Sequence, residues 1–128
     1  MLLKNLIKNI QPKVKTININ NLSLDSRKVR KGDLFFALKG CKLNGNSFIS
    51  HAISNGAKAI VCSKNTKVKI KKKIPLIKVR NVRKSLAYAC SKFYRKKPNN
   101  IIAVTGTNGK SSVADFYYQI LEKNMIPV

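Results

Sequence analysis

The sequence predicts an α/β protein in which short buried strands alternate with amphipathic helices. Two observations carry this prediction. The apolar runs "LFFAL" (Leu34–Leu38), "KAIVCS" (Lys58–Ser63), "IPLIKV" (Ile74–Val79) and "IIAV" (Ile101–Val104) are too short for helices and suit strands covered on both faces. Between them, apolar residues recur at helical spacing, with turn residues at the joins.

Taken in order, Leu2, Leu3, Leu6, Ile7 and Ile10 predict an opening amphipathic helix closed by Pro12. "TININNLSL" alternates weakly and leads into "DSRKVRKGD", where Lys31-Gly32-Asp33 marks a turn. The strand Leu34–Leu38 ends at Gly40. In "NGNSFISHAISNGA", Phe48, Ile49, Ala52 and Ile53 share a helical face, with Asn46 or Ser47 as N-cap and Gly56 as the stop. The strand in "KAIVCS" follows, and after a lysine run comes the strand in "IPLIKV". Val82, Leu86, Ala89 and Phe93 then define a helix capped by Asn81 and ended before Pro98. A last strand at Ile101–Val104 and a helix from Lys110, with Val113, Phe116, Tyr117, Ile120 and Leu121 as its apolar stripe, complete the reading.

The balance of 27 Lys and Arg against 4 Asp and Glu gives a formal charge of +23. Such a charge raises a small basic nucleic-acid-binding module as the rival function class. The lysines are spread from Lys4 to Lys123, however, and the densest run, Lys67–Lys73, contains no aromatic residue to stack a base. A solvated lysine surface is therefore the reading preferred over nucleic-acid contact, and its field would still attract anionic ligands such as nucleotides. Cys41, Cys62 and Cys90 lack metal-ligand or redox spacing, which points to a reducing, cytoplasmic setting. Lysines interrupt the apolar N-terminus, so it is not read as a signal peptide, and no run approaches the ~20 apolar residues of a membrane span. A monomer is expected.

The stretch "IIAVTGTNGKSS" (Ile101–Ser112) carries the chemistry. It runs from an apolar segment through two glycines into Lys-Ser and a helix. A helix N-terminus offers unpaired N–H groups and partial positive charge. Gly106 and Gly109 let the backbone approach phosphate oxygens, Lys110 can reach the outer phosphates, and the Ser111 hydroxyl is placed for Mg²⁺. Val104 stands where the longer pattern G-x-x-x-x-G-K-[ST] has its first glycine, so this is a short form, T-G-T-N-G-K-S. The bland reading, a glycine turn capping a helix, accounts less well for strand, glycines, Lys, Ser and helix in this order.

That short loop resembles the ATP loop of the Mur ligase family, the ATP-dependent amide ligases of peptidoglycan precursor synthesis. "LSLDSRKVRKGDLFFALKG", followed by "NGNSFISHAISNGAKAIV", is similar to the family's N-terminal, UDP-substrate-binding domain. "VRNVRKSLAYACSKFYRKKP" resembles the pre-loop helix of the tripeptide-forming member. The resemblance implies two parts: residues 1–97 as the uridine-nucleotide-binding domain, and 98–128 as the first strand, phosphate loop and helix of an incomplete central ATP-binding domain. It implies ATP contacts at Gly106, Thr107, Asn108, Gly109, Lys110, Ser111 and Ser112, with Mg²⁺ reached by Ser111 through ATP. It implies contacts to the UDP-linked substrate at Leu24, Ser26, Cys41, Lys42 and Leu43. Lys110 is the only residue expected to act in catalysis.

The implied reaction adds meso-diaminopimelate to UDP-MurNAc-L-Ala-D-Glu through an acyl phosphate. The alternative is the family's D-alanyl-D-alanine-adding reaction. The resemblance also implies an N-terminal piece of a longer ligase, inactive alone, and leaves open whether diaminopimelate or lysine is added. Read from the residues alone, Asp25 and Arg27 are a local ion pair bracing a turn, His51 is a surface or partly packed histidine, Tyr88, Phe93 and Tyr94 pack rather than stack a base, and Asp115 and Glu122 are helix-surface acids.

Overall fold

A computed structural model describes residues 1–40, 43–68, 74–94 and 101–126. The chain divides into two compact units, Met1–Arg95 and Lys96–Val128. The first holds α1 (Leu3–Leu6), β1 (Leu22–Ser23), β2 (Leu34–Phe36), α2 (Ile49–Ser54), β3 (Ala59–Ser63), β4 (Leu76–Val79) and α3 (Val82–Phe93). The second holds α4 (Lys110–Lys123).

The four strands form one parallel sheet in the order β1-β2-β3-β4. Leu34 pairs with Leu22 on one side and Ala59 on the other, and Val61 pairs with Ile77. Successive strand residues point to opposite faces, which explains why the central runs are apolar throughout. Leu34, Phe36, Ala59 and Val61 face one core with Leu3 and Leu6 of α1 and Val82 and Ala89 of α3. Phe35, Ile60 and Cys62 face the other with Ile49, Ala52 and Ile53 of α2. The first unit is thus a sheet covered on both faces, the α/β arrangement the alternation predicts.

Several elements differ from the sequence expectation. The opening helix is a single turn. Leu2 bridges Asn18, and the N-terminal ammonium donates to the Ile19 carbonyl at 2.6 Å. Asn9 takes a left-handed φ of 54°, so pairing with residues 17–19 wins over helix extension beyond Ile7. Ahead of α2 the chain forms a 3-10 turn, Gly45–Phe48, whose cap is Asn44 rather than Asn46 or Ser47; the Asn44 carboxamide oxygen accepts from Asn46 N at 3.1 Å. Ile101–Val104 is not a strand: among the described residues of its unit, α4 is the only regular element, and a strand needs a neighbour for its N–H and C=O groups.

Other expectations match. Gly32 and Gly56 adopt φ of 96° and 100° at the turn before β2 and the end of α2. Asn81 caps α3 by accepting from Lys84 N at 2.9 Å.

Candidate functional site

Because all four strands run parallel, the loops that follow them begin at one edge of the sheet, the place where open α/β sheets bind ligands. The loop after β1 is closely braced. Ser23 Oγ donates to the Asp25 carbonyl at 3.0 Å, and the Asp25 carboxylate accepts from the Arg27 backbone N–H at 3.0 Å and from the Arg27 guanidinium at 2.7 Å. Hydrogen bonds from the Arg27 side chain, then from its backbone, hold the Asp25 carboxyl down at about 2. The pair braces a turn, as the residues alone suggest. It leaves Leu24 exposed at 54% and Ser26 buried at 5%. Ser26 Oγ lies 3.0 Å from His51 Nδ1, and the Ser26 carbonyl accepts from Asn55 Nδ2 at 2.8 Å.

The loop after β2 doubles back. Gly40 N donates to the Leu43 carbonyl at 2.9 Å, Gly45 N donates to the Leu38 carbonyl at 2.7 Å, and Lys39 bridges Asn44. Leu43 is exposed at 66%; Cys41 and Lys42 lie outside the described residues. Leu24, Ser26 and Leu43 therefore all sit on loops leaving the same sheet edge.

At the ends of β2, β3 and β4 a cleft of about 440 Å³ opens, lined by Lys39, Asn44, Thr66, Arg80, Asn81 and Arg83 among others. Among the described residues, Leu24, Ser26 and Leu43 do not line it. Its cations and the N-terminus of α3 make it suited to an anionic group. The sequence signal that could have found it is the pair Arg80 and Arg83 flanking the helix cap Asn81 directly after a strand.

Aromatic residues are engaged elsewhere. The Lys8 ammonium stands 4.8 Å from the Tyr88 ring centroid, and Phe93 packs on the core and meets Tyr94 edge-on. Burial pushes the Cys62 thiol pKa up, against the opposing effects of a Thr66 hydrogen bond and the Lys78 charge; it is a core residue.

In the second unit, Gly106 and Gly109 take φ of 151° and 74°, conformations other residues rarely adopt. Gly109 precedes α4 without a side-chain cap, so no side chain covers the first-turn N–H groups. Space for a Cβ at Gly109 is open; its glycine is required by conformation, and the loop surface is accessible. Residues 105–112 are all exposed. Lys110 Nζ folds back to donate to the Gly106 and Thr107 carbonyls. Ser111 lies in the first turn of α4. These features fit a nucleotide phosphate and a phosphate-bound Mg²⁺. Asp115 accepts from Gln119 and Glu122 from Tyr118, both along the helix. Among the described residues, no group of three or more His, Cys, Asp or Glu could hold a metal ion, and no helix is long and apolar enough to cross a membrane.

The profile described as "Mur ligase family, catalytic domain" matches residues 18–94. The chain is 46% identical over 126 residues to the UDP-N-acetylmuramoyl-L-alanyl-D-glutamate–2,6-diaminopimelate ligase of Bradyrhizobium diazoefficiens, covering 96% of this chain and 25% of the relative. It is 40% identical over 129 residues to the ligase of the same name from Clostridium perfringens, covering 96% and 26%. The chain thus spans about a quarter of the length of the curated relatives it matches.

A solved structure of a ligase with that name superposes with a TM-score of 0.71 at 25% identity, over 98% of this chain and 26% of the other. The MurF ligase from Thermotoga maritima, solved with ADP, superposes at 0.61 and 28% identity, over 85% and 25%. With more than half of its residues matched by the family profile, the chain belongs to the Mur ligase family.

Proposed function

We propose that this chain supplies the UDP-substrate-binding domain (residues 1–97) and the opening of the ATP-binding domain (98–128) of a cytoplasmic ligase. That ligase joins meso-diaminopimelate to UDP-MurNAc-L-Ala-D-Glu. The observation that carries the reading is likeness across nearly the whole chain to ligases bearing that name. The loop geometry by itself supports binding of nucleotide phosphates, and the MurF complex with ADP supports a place for ATP in the family.

In this reading the D-glutamate γ-carboxylate takes the γ-phosphoryl group of ATP, giving an acyl phosphate and ADP. The diaminopimelate amine then attacks the acyl carbon and displaces phosphate. Lys110 leaves the Gly106 and Thr107 carbonyls and turns its ammonium to the phosphates. The uncapped N–H groups at the start of α4 meet the same oxygens, and their fixed dipoles oppose charge on the transferring group. Ser111 would hold Mg²⁺, which supplies further neutralisation when bound. Gly106, Thr107, Asn108, Gly109 and Ser112 complete the ATP cradle. Leu24, Ser26, Cys41, Lys42 and Leu43 contact the UDP-linked substrate, while the cleft at Arg80 and Arg83 offers positive charge nearby on the same sheet edge.

A chimera tests this: residues 1–128 replace the aligned segment of the Bradyrhizobium relative. The chimera is expected to form UDP-tripeptide from ATP, UDP-MurNAc-L-Ala-D-Glu and meso-diaminopimelate, and Lys110→Ala is expected to lower the rate at least about a hundredfold. A folded chimera that makes no tripeptide, or a Lys110→Ala chimera that works normally, contradicts the reading.

A further inference from the structure

The loop leaving β1 is held from outside by two side chains of the α2 region. His51 Nδ1 lies 3.0 Å from Ser26 Oγ, and Asn55 Nδ2 donates to the Ser26 carbonyl at 2.8 Å. Ser26 is buried whereas His51 is exposed, so His51 is not there to fill the core. The bond to the Ser26 carbonyl fixes the direction of the Asn55 amide, since only its nitrogen can donate. That nitrogen also stands 3.4 Å from His51 Nε2. An amide donating there makes Nε2 an acceptor and leaves the ring proton on Nδ1. Nδ1–H donates to Ser26 Oγ, so the Ser26 hydroxyl keeps its own proton for an acceptor outside the cluster.

We infer that His51 is a positioning residue of the nucleotide edge: by donating from Nδ1 to Ser26 Oγ, it presents the Ser26 hydroxyl as a hydrogen-bond donor to an acceptor oxygen of a uridine nucleotide. Asn55 sets both the loop backbone, through the Ser26 carbonyl, and the ring tautomer, through Nε2. The inference rests on the reading of Ser26 as a nucleotide contact and adds the residues that make it one.

The test titrates the full chain with uridine 5′-diphosphate, in the wild type and in Ser26→Ala, His51→Ala, His51→Asn and the double alanine variant, with thermal denaturation as a folding check. His51→Ala is expected to weaken binding about three- to tenfold, the range of one hydrogen bond. His51→Asn, whose amide N–H can stand near the position of Nδ1–H, is expected to recover binding to within about twofold. The double variant should bind no more weakly than Ser26→Ala alone, because the two residues act as one unit.

A second measurement needs no variant. His51 is the one histidine of the chain, so its ring ¹⁵N signals are unambiguous. At mildly alkaline pH they should report the Nδ1–H tautomer. Binding that Ser26→Ala weakens but His51→Ala leaves intact overturns this inference alone, as does an Nε2–H tautomer. A wild-type chain that binds no uridine diphosphate overturns the nucleotide reading and the inference together.

Discussion

Arg27 grips Asp25 from two positions along the chain. Its Nη2 stands 2.7 Å from Oδ2 and its Nε 3.0 Å from Oδ1, so guanidinium and carboxylate meet fork to fork in the loop that carries Leu24 and Ser26. The pair faces solvent, so its weight falls on the local shape of the loop more than on global stability.

Acid should open that loop. The Asp25 carboxyl is lowered from 3.8 to about 2. A carboxyl depressed in the folded state stabilises it above the unfolded pKa and loses that contribution as pH falls through the folded value. The window therefore runs from about pH 4 down to about pH 2. The amide signals of Ser26 and Arg27 are expected to move across it, and Asp25→Asn should show the acid-form positions at neutral pH. Amide spectra unchanged through the window would count against the brace.

The cap of α3 gives a second prediction. Asn81 Oδ1 accepts from Lys84 N at 2.9 Å, and Asn81→Ala is expected to cost about 1 kcal/mol while Asn81→Asp costs little. Urea denaturation of the chain checks this: the midpoint should fall for alanine with the slope unchanged.

The two faces of the sheet were legible in the runs Leu34–Leu38 and Lys58–Ser63, because strands buried on both sides leave little choice of residue. The α3 cap was legible for a local reason, Asn81 lying directly before an apolar periodic segment. What failed was decided by pairing at a distance. The helix expected through Ile10 is a single turn: Met1, Leu2 and Leu3 pair with residues 17–19, and Asn9 turns left-handed. Ile101–Val104 has a strand's composition and no partner strand among the described residues. At the candidate site, the phosphate-loop reading rests on a local pattern, the glycines followed by Lys110, whereas the bond between Ser26 and His51 spans 25 positions and no local pattern reveals it.

Gly45 tests the loop after β2. A Cβ there would collide with the Leu38 backbone, whose carbonyl accepts the Gly45 N–H. Gly45→Ala should therefore distort the turn that carries Leu43, weakening uridine diphosphate binding and lowering the melting temperature. Gly109→Ala meets no atom and faces only the strain of its φ, about 1–2 kcal/mol. Equal melting temperatures for Gly45→Ala and the wild type would contradict the close approach.

Phe35 and Phe36 test the double-sided core, being 1% and 0% exposed on opposite faces. Each replacement by alanine is expected to cost about 3–5 kcal/mol, a large share of the roughly 5–15 kcal/mol that holds a domain together. Tolerance of either change in a denaturant titration would mean that its face of the sheet is not packed as described.

The most direct measurement is calorimetric titration of the chain with UDP-MurNAc-L-Ala-D-Glu at physiological salt, repeated with single-stranded RNA across a salt series. Saturable one-to-one binding of the precursor is expected, displaced by uridine diphosphate and weakened by Ser26→Ala, with RNA binding that is weak and collapses as salt rises. Submicromolar RNA binding at physiological salt, with no heat from the precursor, would contradict this expectation.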